Sequence, residues 1–317
     1  MDVLADICSR LRLQAGVYFR ARLAAPFAVG LPKEERHIRF HLLLAGSAFV
    51  SRAGEAPVRL REGDLALVPE GAAQVLSSGV EPGSGVPLSE VLARHPVADG
   101  VLTTGEGRCD VELLCGYLRF EEALHHPAFA CLPPVLVLNR GNPGCGPALS
   151  LLAGEARRAD PGGSFVLHRV IEILLVQCLR EVWTGQDQDQ DQGQRVAFAA
   201  ALRDPRLARA LEAIHAQPHL DWTLERLARH SGLSRSVLSQ RFRAAAGMGP
   251  IAYLALWRMT LARDLLDQDR LDMAEIAERC GYTSVPAFTR RFTAMLGMGP
   301  GAWRRRARDG DVTTPSR

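Results

Sequence analysis

One short pattern is written twice between Trp222 and Trp303. The first copy, LERLARHSGLSRSVLSQRFRAAAGMGP, runs from Leu224 to Pro250, and the second, MAEIAERCGYTSVPAFTRRFTAMLGMGP, from Met273 to Pro300. Gly232 and Gly281 stand 49 residues apart, and Phe242 and Phe292 stand 50 apart. The turn after the glycine is therefore one residue longer in the second copy. A chain that repeats itself at a fixed interval builds the same supersecondary unit twice, and this limits its fold more than any other feature.

Each copy has the spacing of a helix, a tight turn and a second helix. Leu224, Leu227 and Ala228 recur at helical intervals, and Ala228 is small enough to let two helices cross closely. Gly232 supplies the positive φ that ends the first helix, and Ser234 offers an N-cap oxygen to the second. Leu238 and Phe242 then share an inner face. Arg235, Ser236, Ser239, Gln240 and Arg243 fall on the opposite face, and polar groups on one side of a short helix are what major-groove readout requires. The second copy repeats the scaffold through Ile276, Ala277, Gly281, Ser284, Phe288 and Phe292. Its outer face is Val285, Pro286, Thr289, Arg290 and Arg291. A helical bundle that touches no DNA is the bland alternative, and two copies with polar outer faces argue against it.

Between the copies, PIAYLALWRMTLARDLLDQ (Pro250 to Gln268) has the pattern of one amphipathic helix with Pro250 in its first turn. Ile251, Leu254, Trp257, Leu261 and Leu265 form the expected apolar stripe. A rigid connector would present two recognition helices to successive major grooves, about 34 Å apart. LARHSGLSRSVLSQRF, AYLALWRMTLARDLL, EIAERCGYTSVPAFTRRF and the closing GMGP resemble the tandem helix-turn-helix domain of AraC/XylS-family transcription regulators. The resemblance implies binding to promoter DNA as a homodimer, contact with RNA polymerase and activation of transcription. It implies DNA contacts at Arg235, Ser236, Ser239, Gln240 and Arg243 in the first module, and at Ser284, Thr289, Arg290 and Arg291 in the second. The second recognition helix departs from its relatives, which often carry long polar side chains where this chain has Val285, Pro286 and Ala287. Sequence discrimination is therefore expected mainly from the first module.

Charge divides along the same line. From Arg195 onward there are 20 arginines and no lysine against 12 acidic residues, a net of +8. Residues 1–194 hold 18 basic and 23 acidic groups, a net of −5, which leaves the whole chain at +3. A basic carboxyl-terminal half suits a polyanionic partner. No stretch approaches the roughly 20 apolar residues of a membrane span, and MDVLADICSRLRLQ lacks the apolar core of a signal peptide, so a cytoplasmic protein is expected. Seven scattered cysteines with no close CxxC pair do not read as a disulfide framework.

The amino-terminal part opens with helical spacing over Met1 to Leu13. From Tyr18 to Leu76 it changes to short apolar runs punctuated by Gly and Pro, the rhythm of an antiparallel barrel or sandwich. FHLLLAGSAFVSRAGEAPVRLREGDLALVPEGAAQVL, together with HHPAF and CLPPVLVL, resembles the cupin-type jelly-roll sensor found at the amino end of AraC-family regulators. Gly63–Asp64 should turn into a buried strand and Pro69 to Gly71 out of it. Ser77 to Arg108 reads as a long rim excursion, followed by strands over Asp110–Phe120 and Pro134–Leu138. Two helices are expected over Pro147–Ala159 and Ser164–Trp183, the second offering a dimer face between Phe165 and Trp183. QDQDQDQGQ (Gln186 to Gln194) has no apolar group to bury and is expected to link the halves.

The expected fold class is thus α+β. A cupin-like sensor and dimerisation domain with an antiparallel β-barrel and flanking helices spans 1–184, a polar linker 185–194, an all-α tandem helix-turn-helix domain 195–308, and a disordered tail 309–317. The sensor admits three chemistries. Cupins hold metals through histidines and a carboxylate, and here His37 lies near His41 and His125 beside His126. The position after PEGAA that would bear a metal-binding histidine is Gln74, a poor transition-metal ligand, so no cofactor is expected. A metal-dependent cupin enzyme fused to a DNA-binding domain remains the rival to a regulator with no enzymatic activity. Thiol sensing at Cys115, with Cys109 as its nearest neighbour in sequence, needs an exposed, electropositive setting; a buried, inert strand cysteine is the alternative. A small organic effector inside the barrel, against His41 among other residues, is the third.

Overall fold

A computed structural model of the chain describes residues 2–10, 13–35, 37–81, 83–105, 109–120, 126–127, 132–142, 144–158, 160–184, 203–268 and 270–308. The expected linker and tail, and His125, lie outside the described residues.

The strands are β1 (Leu13–Leu23), β2 (Ala28–Leu31), β3 (His37–Ala45), β4 (Ser47–Ser51), β5 (Val58–Arg61), β6 (Leu65–Val68), β7 (Gln74–Ser77), β8 (Val86–Pro87), β9 (Val101–Thr104), β10 (Val111–Phe120) and β11 (Leu136–Leu138). They form two sheets, ordered β11-β6-β3-β10-β1-β9 and β5-β4-β7-β2-β8. The barrel is thus a jelly-roll sandwich rather than one continuous closed sheet. Its core draws on both sheets: Leu31, Val50, Leu60, Leu76 and Ala48 from one, and Leu23, Leu43, Val68, Leu113 and Cys115 from the other. The β1–β10 ladder pairs Leu13 with Phe120 at one end and Leu23 with Val111 at the other. β3 is buried at every residue except its two ends, so both of its faces are covered.

The turns into and out of β6 follow the sequence expectation. Gly63 takes φ +91° ahead of the buried β6, and Pro69–Gly71 forms a 3-10 turn after it. Gly71 is positive in φ and lies so close to the Glu34 carbonyl that a Cβ could not fit. The Ser77–Arg108 segment differs from a plain excursion. It carries β8, a helix α2 (Leu88–Arg94) and β9, and it extends each sheet by one parallel edge strand. Helices α3 (Gly146–Arg157) and α4 (Gly163–Thr184) pack together, and α4 lies along β1. Along α4 the buried residues are Val170, Ile171, Leu174, Leu175, Cys178 and Leu179, while Phe165 and Ile173 are 65% and 51% exposed.

The remaining helices are α1 (Val3–Arg10), near the amino terminus, and α5 (Pro205–Ala216), α6 (Leu224–Ser231), α7 (Arg235–Ala246), α8 (Pro250–Asp267), α9 (Met273–Arg279), α10 (Val285–Leu296) and α11 (Pro300–Arg308). Short side chains start most of them. Asp204, Thr223, Ser234 and Ser284 accept backbone N–H groups at the N-caps, and Asp272 with Glu275 completes a reciprocal capping box. These contacts satisfy donors that a helix start leaves open. Gly232 and Gly281 take φ +68° and +73° at the two turns, as the repeat requires. Leu254, Trp257 and Leu265 of α8 are buried, but Ile251 is 41% exposed, so the expected stripe begins one turn later.

Compactness does not follow chain order. One unit contains Arg12–Glu122 and Leu132–Arg195. The other contains Val196–Arg317 together with Met1–Leu11 and Ala123–Cys131. Two pieces expected within a continuous 1–184 sensor thus belong to the helical unit.

Candidate functional site

Each recognition helix has a dry side and a wet side. On α7, Leu238 and Phe242 are buried, while Arg235, Ser236, Gln240 and Arg243 are exposed and Ser239 is half-buried. The Ser234 hydroxyl accepts from Val237 N at 3.3 Å and lies 3.1 Å from the Ser236 hydroxyl. Leu224, Ser234, Arg235, Ser236 and Ser239 line an open groove where α6 meets the start of α7. On α10, Phe288 and Phe292 are buried, and Arg290, Arg291 and Pro286 are exposed. Thr289 is half-buried, and Val285 packs against the second module's core with Met259, Ile276 and Cys280. Ser284 is used as the N-cap, accepting from Ala287 N at 3.4 Å.

Two polar contacts at this surface were not signalled by periodicity. Glu225 of α6 accepts a hydrogen bond from Arg235 at 2.6 Å, and that bond holds its carboxyl below the ordinary carboxylate range. Asp204, the cap of α5, accepts from Arg241 of α7 at 3.0 Å. Both join residues ten or more positions apart, and no local pattern marks such pairs.

In the sheet unit, Cys115, His41 and Gln74 are buried. His41 Nδ1 lies 3.2 Å from Cys115 Sγ. Burial pushes the Cys115 thiol up to about 12 and the His41 imidazole down to about 4, with the Arg39 charge adding to the latter. Both are therefore neutral near pH 7, and Cys115 lacks the exposed, cationic setting of a reactive thiolate. Cys109 is partly exposed, with Sγ 4.0 Å from the Thr104 carbonyl. Arg119 is half-buried and bonds Gln14 rather than Cys115. His41 Nε2, both amide atoms of Gln74 and Nη1 of Arg39 are buried with no hydrogen-bond partner among the described residues. Gln74 shares its strand face with the core residue Leu76, and His41 shares its own with Leu43. Unpaired polar groups thus face the layer between the sheets, where each costs on the order of 1–3 kcal/mol unless something binds it. His37 is engaged elsewhere, by the Glu35 carbonyl at 2.8 Å and edge-on to Tyr117. His126 is a member of the helical unit, hydrogen-bonded to Tyr253 at 3.1 Å.

Comparison with known proteins gives two regions in chain order, the first of which includes α1 and His126. A cupin family model matches residues 2–184, and a helix-turn-helix domain model matches residues 227–306. An AraC-like transcription regulator of Streptomyces antibioticus is 30% identical over 310 residues, covering 96% of this chain and 97% of that protein. The chain belongs to the AraC-like family of transcription regulators. The RCS-specific HTH-type transcriptional activator RclR of Escherichia coli strain K12 is 26% identical, over 86% of this chain and 85% of its own. Among solved structures, the DNA-binding domain of AdpA in complex with a target DNA is 31% identical over 34% of this chain and 98% of its own, with a TM-score of 0.32. This AraC-like regulator therefore combines a cupin-type sensor with a tandem helix-turn-helix domain that binds double-stranded DNA.

Proposed function

We propose that this regulator reads promoter DNA chiefly through α7, with Arg235, Ser236, Ser239, Gln240 and Arg243 at the bases and phosphates. Arg290, Arg291, Thr289 and Ser284 of the second module then supply mostly backbone contacts. The observation that carries this is the asymmetry of the two outer faces. α7 offers amide, hydroxyl and guanidinium groups along its length, whereas the first turn of α10 carries only apolar side chains, with Val285 packed on its module's core, Pro286 exposed and Ala287 half-buried. Guanidinium and amide groups can bond base edges bidentately; alkyl groups can only touch a thymine methyl.

The input we assign to the sensor is a small polar organic effector between the sheets, bonded by His41, Gln74 and Arg39. The four buried atoms of these residues that have no partner among the described residues support it, as does the neutral state of Cys115. Self-association through the exposed Phe165 and Ile173 of α4, recruitment of RNA polymerase, activation and a cytoplasmic location complete the reading. No helix among the described residues is long and apolar enough to cross a membrane.

Fluorescence anisotropy of the full chain on its own upstream region, against scrambled DNA and across salt, tests the first part. Selective binding that Gln240→Ala relaxes is expected. Equal binding to both duplexes that vanishes with salt would leave only phosphate contacts. Adding a mild oxidant separates the two inputs, since selective binding that changes with oxidant would restore thiol sensing at Cys115 and Cys109.

A further inference from the structure

The helical unit contains a buried polar chain that DNA contact does not use. Asp6 Oδ2 lies 2.9 Å from His215 Nδ1, His215 Nε2 lies 2.8 Å from the Tyr253 hydroxyl, and that hydroxyl lies 3.1 Å from His126 Nε2. Asp6 also accepts from Arg10 Nε at 2.9 Å, and Arg10 reaches Asp264 at 3.1 Å. Four separate stretches of sequence meet here: α1, the His126 segment, α5 and the connecting helix α8. Tyr253, Trp257, His126 and His215 are all buried. The His215 ring lies against Trp257 with centroids 3.9 Å apart, His126 meets the same indole edge-on, and the Arg10 guanidinium sits 5.7 Å from its centroid. Val3 and Ile7 of α1 are buried beneath.

The proton order along the chain can be assigned. Burial lowers the His215 imidazole more than the neighbouring Asp6 carboxylate raises it, so the ring is neutral. Its Nδ1–H donates to Asp6, which leaves Nε2 to accept from the Tyr253 hydroxyl. The Tyr253 oxygen in turn accepts from His126 Nε2–H. Every link then has one donor and one acceptor, the condition under which a buried network specifies a single arrangement.

Tyr253 stands at the centre of this network for a second reason. Its ring packs edge-on against Phe242, the inner residue of recognition helix α7, with centroids 5.5 Å apart. Asp264 lies eleven residues further along α8, about 16 Å on at the helical rise, towards the second module. The network thus grips α8 from the turn that supports the first recognition helix to the turn that leads to the second. Its two outlying contributors lie close in sequence to one strand pair. α1 ends at Arg10, three residues before β1 begins at Leu13, and Leu13 pairs with Phe120, six residues before His126.

We propose that α1 and His126 form a clamp on the connecting helix that sets the spacing of the two recognition helices. Asp6, His126, His215 and Tyr253 are positioning residues in this scheme. The proposal rests on the reading that both α7 and α10 engage DNA, but not on the identity of any effector.

The test uses the full chain and a duplex recovered by it from a random-sequence library. A second duplex carries five extra base pairs between the two contacted segments, which rotates one by about half a turn. Wild-type protein should bind the longer duplex at least about tenfold more weakly. Tyr253→Phe and Asp6→Asn, nearly isosteric changes that each break one link, should weaken binding to the first duplex about fivefold or more and shrink the penalty for the insertion. Either variant keeping both the wild-type affinity and the wild-type penalty would overturn the clamp. So would a fall in Tm with the penalty intact, since that describes a structural bond only. Indifference of the wild-type protein itself to the insertion would instead overturn the two-module reading, and the clamp with it.

Discussion

Gly232 and Gly281 occupy equivalent corners of the two modules, yet an added methyl group would meet different surroundings. At Gly232, with φ +68°, a Cβ would find only an Arg209 nitrogen at 4.0 Å. At Gly281, with φ +73°, it would stand 2.8 Å from the His219 carbonyl oxygen and 2.5 Å from Arg258. Gly232→Ala should therefore carry only the left-handed backbone cost of about 1–2 kcal/mol. Gly281→Ala should cost more, because a backbone oxygen must shift as well. Denaturant melts of the two variants check this, and equal losses would mean that the His219 segment yields freely. The readout residues give a second test at this scale. Replacing Ser239 and Gln240 should remove on the order of 1–3 kcal/mol of base discrimination. Replacing any pair among Val285, Pro286 and Ala287 should change little, and the reverse order in a binding-site selection would refute the assignment of specificity to α7.

Legibility in the sequence depended on the range over which each element is determined. The caps and corners of the repeat were readable because each is fixed within four residues: Ser234 to Val237, Ser284 to Ala287, Gly232 and Gly281 at their turns. The strands inside the Ser77–Arg108 excursion were not, because β8 and β9 are held by parallel pairing to β2 and β1, more than fifty residues earlier. A segment rich in Gly, Pro and Ser gives no local sign of such pairing. The packing partners of His126 and α1 are not legible for the same reason, since they lie more than a hundred residues away. The site shows the same split, with the outer faces of α7 and α10 periodic and the Glu225–Arg235 and Asp204–Arg241 pairs not. On α4, Phe165 and Ile173 are eight residues apart and large, apolar and exposed, so they fall on one side of the helix. If that side joins two copies, Phe165→Asp with Ile173→Asp should give a monomer by light scattering with its helical content unchanged. A dimer of undiminished mass would place the interface elsewhere.

At the scale of the whole molecule, each unit carries a buried neutral histidine, so acid should act on both. Burial lowers His41 to about 4 in the sheet unit, with the Arg39 charge adding to the effect. In the helical unit burial lowers His126 to about 3, with His215 adding to the effect. An unfolded histidine titrates near 6.5. Below that value the unfolded chain gains a proton that the native site refuses. The stability these groups confer is therefore complete above pH 6.5 and is lost progressively as the pH falls towards the native values. At pH 5 the loss is about 2 kcal/mol for each residue. Asp6 has the opposite dependence: burial alone would raise its carboxyl, but the bonds from His215 and Arg10 outweigh this and hold it below 3.8. Its contribution disappears only below about pH 4, outside the window in which the histidines act. Urea titrations of the full chain between pH 7.5 and 5, read by tryptophan emission, should show this loss, because Trp222, Trp257 and Trp303 all lie in the helical unit. His126→Gln should be less stable than wild type at pH 7.5 and lose less stability on acidification. An unchanged slope would mean that His126 is charged in the native state, which its bond to the Tyr253 hydroxyl and its place against Trp257 make costly.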